Sequence, residues 1–303
     1  MAAKIISVAN MKGGVGKTTT VVSLAEALSA DDEEVSILVI DLDPQASASC
    51  CIAGDEILAD LITRGRTIDV YLEQKLIRKE AANLNSKIHR LASDTTHRHY
   101  QLRISLLGCA PYLRLVEREI IYDLSSRDFG VRGIEGQIWK LLSHEMVTLA
   151  EQYDYIIFDC APGISPLTEV AIRMSDLVIV PTIADYLSTL GLNAFCRSLW
   201  SGPNANRTGL PQPINLPRVL VTRWQQQVRQ QNEVFEGMKV EVKSADAGFY
   251  LFATRIPQAA SLVDALTLTG TAPTFRNKYG PLICNVLQRL VLEVKEALHG
   301  NRS

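Results

Sequence analysis

Three things are scarce in this 303-residue sequence, and each scarcity removes a class of function. None of the six cysteines (Cys50, Cys51, Cys109, Cys160, Cys196 and Cys284) forms a CxxC pair or falls at a metal-ligand spacing, which excludes a cysteine-bound metal site and a disulfide framework. They read as reduced and mostly buried. No apolar run approaches the roughly 20 residues that span a bilayer, and the first four residues lead into an apolar strand with none of the regions of a secretory leader. A cytoplasmic chain without a membrane partner is expected. Excess charge is also missing: 31 Lys and Arg face 33 Asp and Glu, a net of −2. A globally basic nucleic-acid binder is excluded, so any DNA contact must come from a local face.

What the sequence does have is a hydrophobic fraction of 47%, enough for a sizeable core. Short aliphatic runs at residues 4–9, 35–40, 103–107, 154–158, 176–180, 218–222 and 249–253 alternate with helical patterns. That alternation predicts βαβ units, and the near-continuous apolar strands predict a sheet covered on both faces. The expected fold is α/β, a doubly wound, mostly parallel sheet flanked by helices, in one domain over residues 1–303. Two stretches elaborate it. Residues 62–118 carry 11 Lys/Arg against 5 Asp/Glu, with helical periodicity over 68–91 and a polar run at 93–99, and read as a solvated, partly helical excursion. Residues 201–217, rich in Pro, Gly and Asn, read as a surface loop.

Residues 4–20, KIISVANMKGGVGKTTT, run from an apolar strand through a glycine loop into a helical pattern. Glycines let the backbone wrap phosphates closely with its N–H groups pointing inward, and the following helix adds the positive end of its dipole. The loop Lys12, Gly13, Gly14, Val15, Gly16, Lys17, Thr18 and Thr19 is therefore the candidate nucleotide cradle. Lys17 would meet the β and γ phosphates and the Thr18 hydroxyl would ligate Mg²⁺. Asp41 and Asp43 follow the second strand, at the carboxyl end where open α/β sheets bind ligands. Asp159 ends the buried run 153–159, in the form of a Walker B motif whose carboxylate holds a Mg²⁺-bound water beside Thr18. Cys160 beside it reads as a small core residue.

Met11 stands where the standard loop has its first glycine, and Lys12 follows it. KGGVGKTT, DLDPQ at 41–45 and the Asp159 motif together resemble the ParA and MinD family of deviant Walker A ATPases, closest to the small ParA-like partition proteins. The resemblance implies the P-loop NTPase fold, ATP and Mg²⁺ as cofactors, and hydrolysis to ADP and phosphate. It implies that Lys12 reaches across an ATP-dependent homodimer, that Asp41 lies near the Mg²⁺ shell, and that Asp43 orients or deprotonates the attacking water. It also implies Arg223 and Pro257 as nucleobase contacts. Ala46, Ser47 and Ala161 depart from the residues common in the family's switches.

The family's branches separate on charge and added segments. The amphipathic pattern at 282–298 has a net charge of zero on its polar side, so attraction to anionic lipid is missing and packing on the sheet is expected. No second cysteine accompanies Cys160 for an Fe–S cluster, no terminal tyrosine cluster is present, and, with the loop beginning near residue 10, the helix-turn-helix domain of larger ParA proteins is not expected. Stretches without acidic residues at 186–232 (Arg197, Arg207, Arg218, Arg223, Arg229) and 265–292 (Arg276, Lys278, Arg289) suggest nonspecific phosphate contacts, with Arg229, Arg276 and Lys278 as DNA-binding candidates. The reading is a partition or positioning ATPase for plasmid, chromosome or protein cargo, nucleoid-associated, with a ParB-like or cargo-adaptor protein that stimulates hydrolysis. Its rivals are a dethiobiotin-synthetase-like ATP-dependent ligase and a nucleotide-dependent scaffold.

Overall fold

The computed structural model describes residues 2–126, 131–201, 209–244, 246–267 and 269–300. Its framework is one parallel sheet built from β1 (Lys4–Val8), β2 (Ile37–Leu42), β5 (Ile104–Leu107), β6 (Tyr155–Cys160), β7 (Leu177–Ile183), β8 (Arg218–Trp224) and β9 (Tyr250–Pro257). The spatial order is β5-β2-β6-β1-β7-β8-β9, with every neighbouring pair parallel. β3 (Thr96–His97) and β4 (Tyr100–Gln101) form a separate antiparallel ribbon. Each of the seven expected strands is present, shifted by a few residues at its ends.

Side-chain alternation divides the interior in two. In β2, Leu38, Ile40 and Leu42 enter one core while Ile37 and Val39 enter the other, and β6 divides in the same way. The first core is covered by α4 (Ile68–Leu72), α5 (Leu113–Ser126), α6 (Val131–Leu149), α7 (Pro166–Met174), α8 (Tyr186–Cys196) and α9 (Arg229–Glu241). The second is covered by α1 (Lys17–Asp31), α2 (Ser47–Ala53), α10 (Ala260–Ala265) and α11 (Phe275–His299), with α3 (Asp55–Thr63) following α2. Both faces are therefore buried, as the apolar strands require.

α11 packs on α1, α10 and β9, the expected use of its amphipathic face. One assignment changes. Leu282 is 71% exposed, and Ile283 takes its place in a stripe with Leu287, Leu290, Val294 and Ala297. Gly280, at φ 75°, breaks the helix just before Pro281 and sets this phase.

The excursion differs more from expectation. Continuous helix over 68–91 gives way to α4, one wider turn at Glu73–Ile77 closed by the Arg78 amide on the Glu73 carbonyl, and a left-handed Lys79 at φ 57° that ends it. Beyond that, Leu84 and Ile88 are buried singly rather than as a helical stripe.

The polar run at 93–99 is partly interior. Ser93 and Thr95 are buried, and the Thr95 hydroxyl donates to Glu26 Oε1 of α1 at 2.9 Å. Lys278 Nζ meets the same oxygen at 2.7 Å, with side-chain exposures of 1% and 0% for Lys278 and Glu26. Lys278 is thereby removed from the DNA-binding candidates: its charge is spent inside the fold on an acid that lies 252 residues away in sequence.

Removing one member of a buried ion pair leaves the other charge uncompensated. Lys278→Met is expected to destabilise the chain by about 3–5 kcal/mol, while Lys278→Met with Glu26→Gln recovers much of that loss. Urea unfolding of the two variants checks this. Equal stability of the single and double variants would show that the pair is not the source of the loss.

Candidate nucleotide-binding site

The loop between β1 and α1 holds left-handed backbone at Gly14 (φ 73°) and Gly16 (φ 89°), where a Cβ would be strained. Gly16 opens α1, whose first turn contains no acidic residue, so its free N–H groups face the loop without competition. Residues outside the motif hold this shape. Asn10 donates from Nδ2 to the Pro181 carbonyl at 2.7 Å and accepts the Lys12 amide on Oδ1 at 2.9 Å. The Thr222 hydroxyl donates to the Val15 carbonyl at 2.8 Å. Sequence reasoning missed both anchors. A polar residue at the carboxyl end of a buried apolar strand was the available signal for each.

The two lysines of the loop point to different places. Lys17 is buried and its ammonium donates to the Lys12 carbonyl at 3.1 Å, closing over its own loop. Burial lowers its pKa, opposed by the charges of Asp159 and Asp43. Lys12, 47% exposed, instead donates from Nζ to the Ser188 hydroxyl of α8 at 2.8 Å and lies 3.8 Å from Asp185. Asp185 caps α8. Burial works against its charge, but the amide and hydroxyl of Ser188 and the Lys12 ammonium hold its carboxyl below the ordinary range.

Asp41 and Asp159 are register partners on β2 and β6, so two carboxylates stand side by side at the sheet's carboxyl edge. Both are fully buried. Thr18 donates to Asp159 Oδ2 at 2.8 Å, while Asp159 Oδ1 has no hydrogen-bond partner. Burial, and then the neighbouring Asp41, push Asp159 well above the usual carboxylate range. Asp41 accepts the Ser49 amide and hydroxyl at 2.9 and 2.7 Å and the Asp43 amide at 3.0 Å. Burial raises it to about 6 against those bonds. Asp41 thus also clasps the start of α2, a role not read from sequence. Asp43, 8% exposed, accepts the Gln45 amide at 3.0 Å.

The free Asp159 oxygen and the Thr18 hydroxyl form a hard-oxygen donor pair that fits Mg²⁺, an ion that takes one or two protein ligands and completes its shell with water and phosphate. Among the described residues there is no cluster of three or more His, Cys, Asp or Glu side chains able to hold a metal by itself. Beyond β6 come Gly163 at φ 101°, its amide on the Asn10 carbonyl, and Ser165, which caps α7.

Beside Gly16 lies a cavity of about 320 Å³ lined by Thr19, Thr20, Arg223, Pro257, Gln258 and Val263 among others. Both residues expected at a nucleobase, Arg223 and Pro257, are in its wall, and Arg223 is left-handed at φ 51°.

The DNA-binding candidates do not converge there. Arg229 is 92% exposed and paired with Glu233 at 2.7 Å, Arg276 is exposed on α11, and Arg218 stacks 5.3 Å from the Tyr250 ring centroid. Arg207 lies outside the described residues.

Residues 3–201 match the AAA domain family AAA_31. The chain belongs to this family. The chromosome partitioning protein ParA of Myxococcus xanthus (strain DK1622) is 28% identical over 236 residues, 78% of this chain and 70% of that protein. An uncharacterized Pseudomonas putida protein is 31% identical over 196 residues, and there the chain spans 60% of the relative's length. Among solved structures, the putative plasmid partition protein of Borrelia burgdorferi B31 bound to AMPPNP superposes with a TM-score of 0.60 at 22% identity, covering 97% of this chain and 100% of that one. The cobyrinic acid a,c-diamide synthase of Mycobacterium smegmatis with bound ATP analog and magnesium gives 0.67 at 19%, covering 99% and 97%. At these identities the superpositions establish the P-loop NTPase α/β fold. With the AAA_31 match and the ParA relatives, the chain is a ParA/MinD-type ATPase family member.

Paired buried carboxylates raise the free energy of the ligand-free fold. Asp159→Asn keeps an acceptor for Thr18 and removes one charge, so the ligand-free chain is expected to gain about 0.5–2 kcal/mol near pH 8. Both groups have raised folded pKa values. The gain should therefore be full above those values and shrink as pH falls and the parent carboxylates bind protons in the folded state. Thermal unfolding from pH 8 to 5 checks it; a gain independent of pH would contradict the assignment.

Proposed function

We propose that this chain is a ParA-like ATPase that binds ATP with Mg²⁺, pairs with a second copy around two nucleotides, and is reset by hydrolysis. The observation that carries the reading is the separation of the two lysines: Lys17 covers its own loop while Lys12 stands half-exposed on α8. One lysine serves the bound phosphates of its own chain. The other is available to those of a partner.

The rest of the site has a role on this reading. The loop amides from Gly13 to Thr19 and the α1 N-terminus receive the phosphates, and Arg223 and Pro257 bound the base. Thr18 and Asp159 hold Mg²⁺, with Asp41 fixing the strand end and α2 beside it. When bound there, Mg²⁺ would neutralise phosphate charge. Asp43, at the end of the same strand, orients or deprotonates the attacking water.

The ParA relatives support a cargo-positioning role. It includes nonspecific DNA contacts through Arg229 and Arg276, a ParB-like or adaptor partner, and a cytoplasmic, nucleoid-associated location. No helix among the described residues is long and apolar enough to cross a membrane. A ligase reading draws on the likeness to the Mycobacterium smegmatis synthase, but that likeness is one of fold, and many chemistries share this fold. Substrate-independent turnover separates the two.

Lys12→Ala is expected to bind ATP normally and remain monomeric, because it loses only the contact to the other subunit's phosphates. Light scattering with ATP and Mg²⁺ checks this, and a parent-like dimer would refute the sandwich.

Asp43→Ala is expected to bind ATP and dimerise but hydrolyse roughly a hundredfold or more slowly, the usual size of a lost general base. Single-turnover phosphate release measures it. A parental rate would remove Asp43 from the mechanism.

A further inference from the structure

The 73–79 turn of the basic excursion contributes no residue to the nucleotide pocket, yet the fold builds a cavity from it. The turn at 73–79 and the middle of α6 face one another across a space of about 420 Å³ lined by Lys75, Leu76, Lys79, Gln137, Lys140, Leu141 and His144. On α6 the lining positions 137, 140, 141 and 144 form one helical stripe, so a single face of that helix makes one wall. Three ammonium groups from two elements thus look into one cavity with no carboxylate in its lining. None of them is in an ion pair among the described residues. Two nearby acids are engaged elsewhere: Glu73 accepts the Arg78 guanidinium, and Glu145 accepts the Tyr71 hydroxyl at 2.6 Å. Lys79 spends one proton on the Leu76 carbonyl, and its left-handed backbone ends the turn where the cavity begins.

In a chain of net charge −2, like charges gathered around a concave surface repel one another unless an anion sits among them. The three flexible lysines act as point charges and have no aromatic platform beside them. That chemistry follows the phosphates of a duplex without reading bases.

We propose that this cavity is a phosphate-contact site for duplex DNA, bound through the backbone without regard to sequence. The proposal rests on the DNA-binding part of the proposed function and adds a site to the contacts at Arg229 and Arg276. Of the three residues selected from sequence, Lys278 is buried, Arg229 is paired with Glu233 and Arg276 is exposed on α11 away from this cavity, whereas Lys75, Lys79 and Lys140 line one cavity with no ion pair among the described residues. The cavity shares no lining residue with the nucleotide pocket, so DNA and ATP would occupy separate places on each subunit.

The test compares the full-length chain with a Lys75→Gln, Lys79→Gln, Lys140→Gln variant, using a labelled duplex of random sequence, with ATP and Mg²⁺, across a salt series. All three substitutions are on the surface side of the turn and helix, and unchanged ATP affinity and unfolding midpoint establish that the variant is folded. The plot of log affinity against log salt should become shallower by about 2–3, at about 0.9 for each lost phosphate contact, with affinity at low salt down on the order of tenfold. A variant that binds as tightly as the parent, with the same slope, overturns the cavity assignment and leaves DNA binding to other residues. If the parent itself ignores DNA at low salt, the DNA-binding reading fails together with this proposal. Polyglutamate that binds the parent and not the variant, with no effect of the variant on DNA, would assign the cavity to an acidic peptide instead.

Discussion

Two buried carboxylates on adjacent strands, Asp41 and Asp159, set the terms for the rest of the site. Parallel pairing of β2 with β6 fixes them side by side, and burial makes their joint ionisation costly. Lys17 supplies the nearest positive charge from the loop, itself disfavoured by burial. The Asp159 oxygen left without a partner shows where a further cation would relieve the arrangement. A stable fold that keeps such a cluster is organised for a ligand, because an apolar replacement would cost less in its absence.

The loop's geometry depends on residues from distant strands. Asn10 ties the start of the loop to the end of β7, Thr222 ties its middle to the end of β8, and the Gly163 amide ties the segment after β6 to the Asn10 carbonyl. A change at any of these strand ends is thereby felt at the phosphate cradle. Lys12 joins the same system through Ser188 and Asp185 at the head of α8, the helix that follows β7. The site is held by the carboxyl ends of five neighbouring parallel strands, and this gathers the glycine loop, the carboxylates and Lys12 on one edge of the sheet.

Much of this was legible in the sequence. The seven strands were readable because parallel strands buried on both faces are apolar runs that neighbouring helices cannot imitate. The loop, Asp41, Asp43 and Asp159 were readable because their chemistry needs fixed residue types at fixed spacings next to strand ends. Less visible was any pairing set by the route of the chain. Arg276 and Lys278 are two residues apart, and only the packing of α11 on α1 puts one in solvent and the other on Glu26. The same holds for residues 68–91, where helical periodicity was real over α4 and misleading beyond Lys79, since Leu84 and Ile88 are buried by tertiary contacts rather than by a helical face.

By itself the sequence determined the sheet's strands, the glycine loop and the carboxylates, all of which follow from local pattern and backbone conformation. The tertiary structure alone decided which charges are spent and which are free. Lys278 is neutralised inside, Lys12 is held on α8, and the lysines of the 73–79 turn meet Lys140 across a cavity. The physical reason is that charge acts through distance in space and through burial, and neither is written in the spacing of residues along a chain.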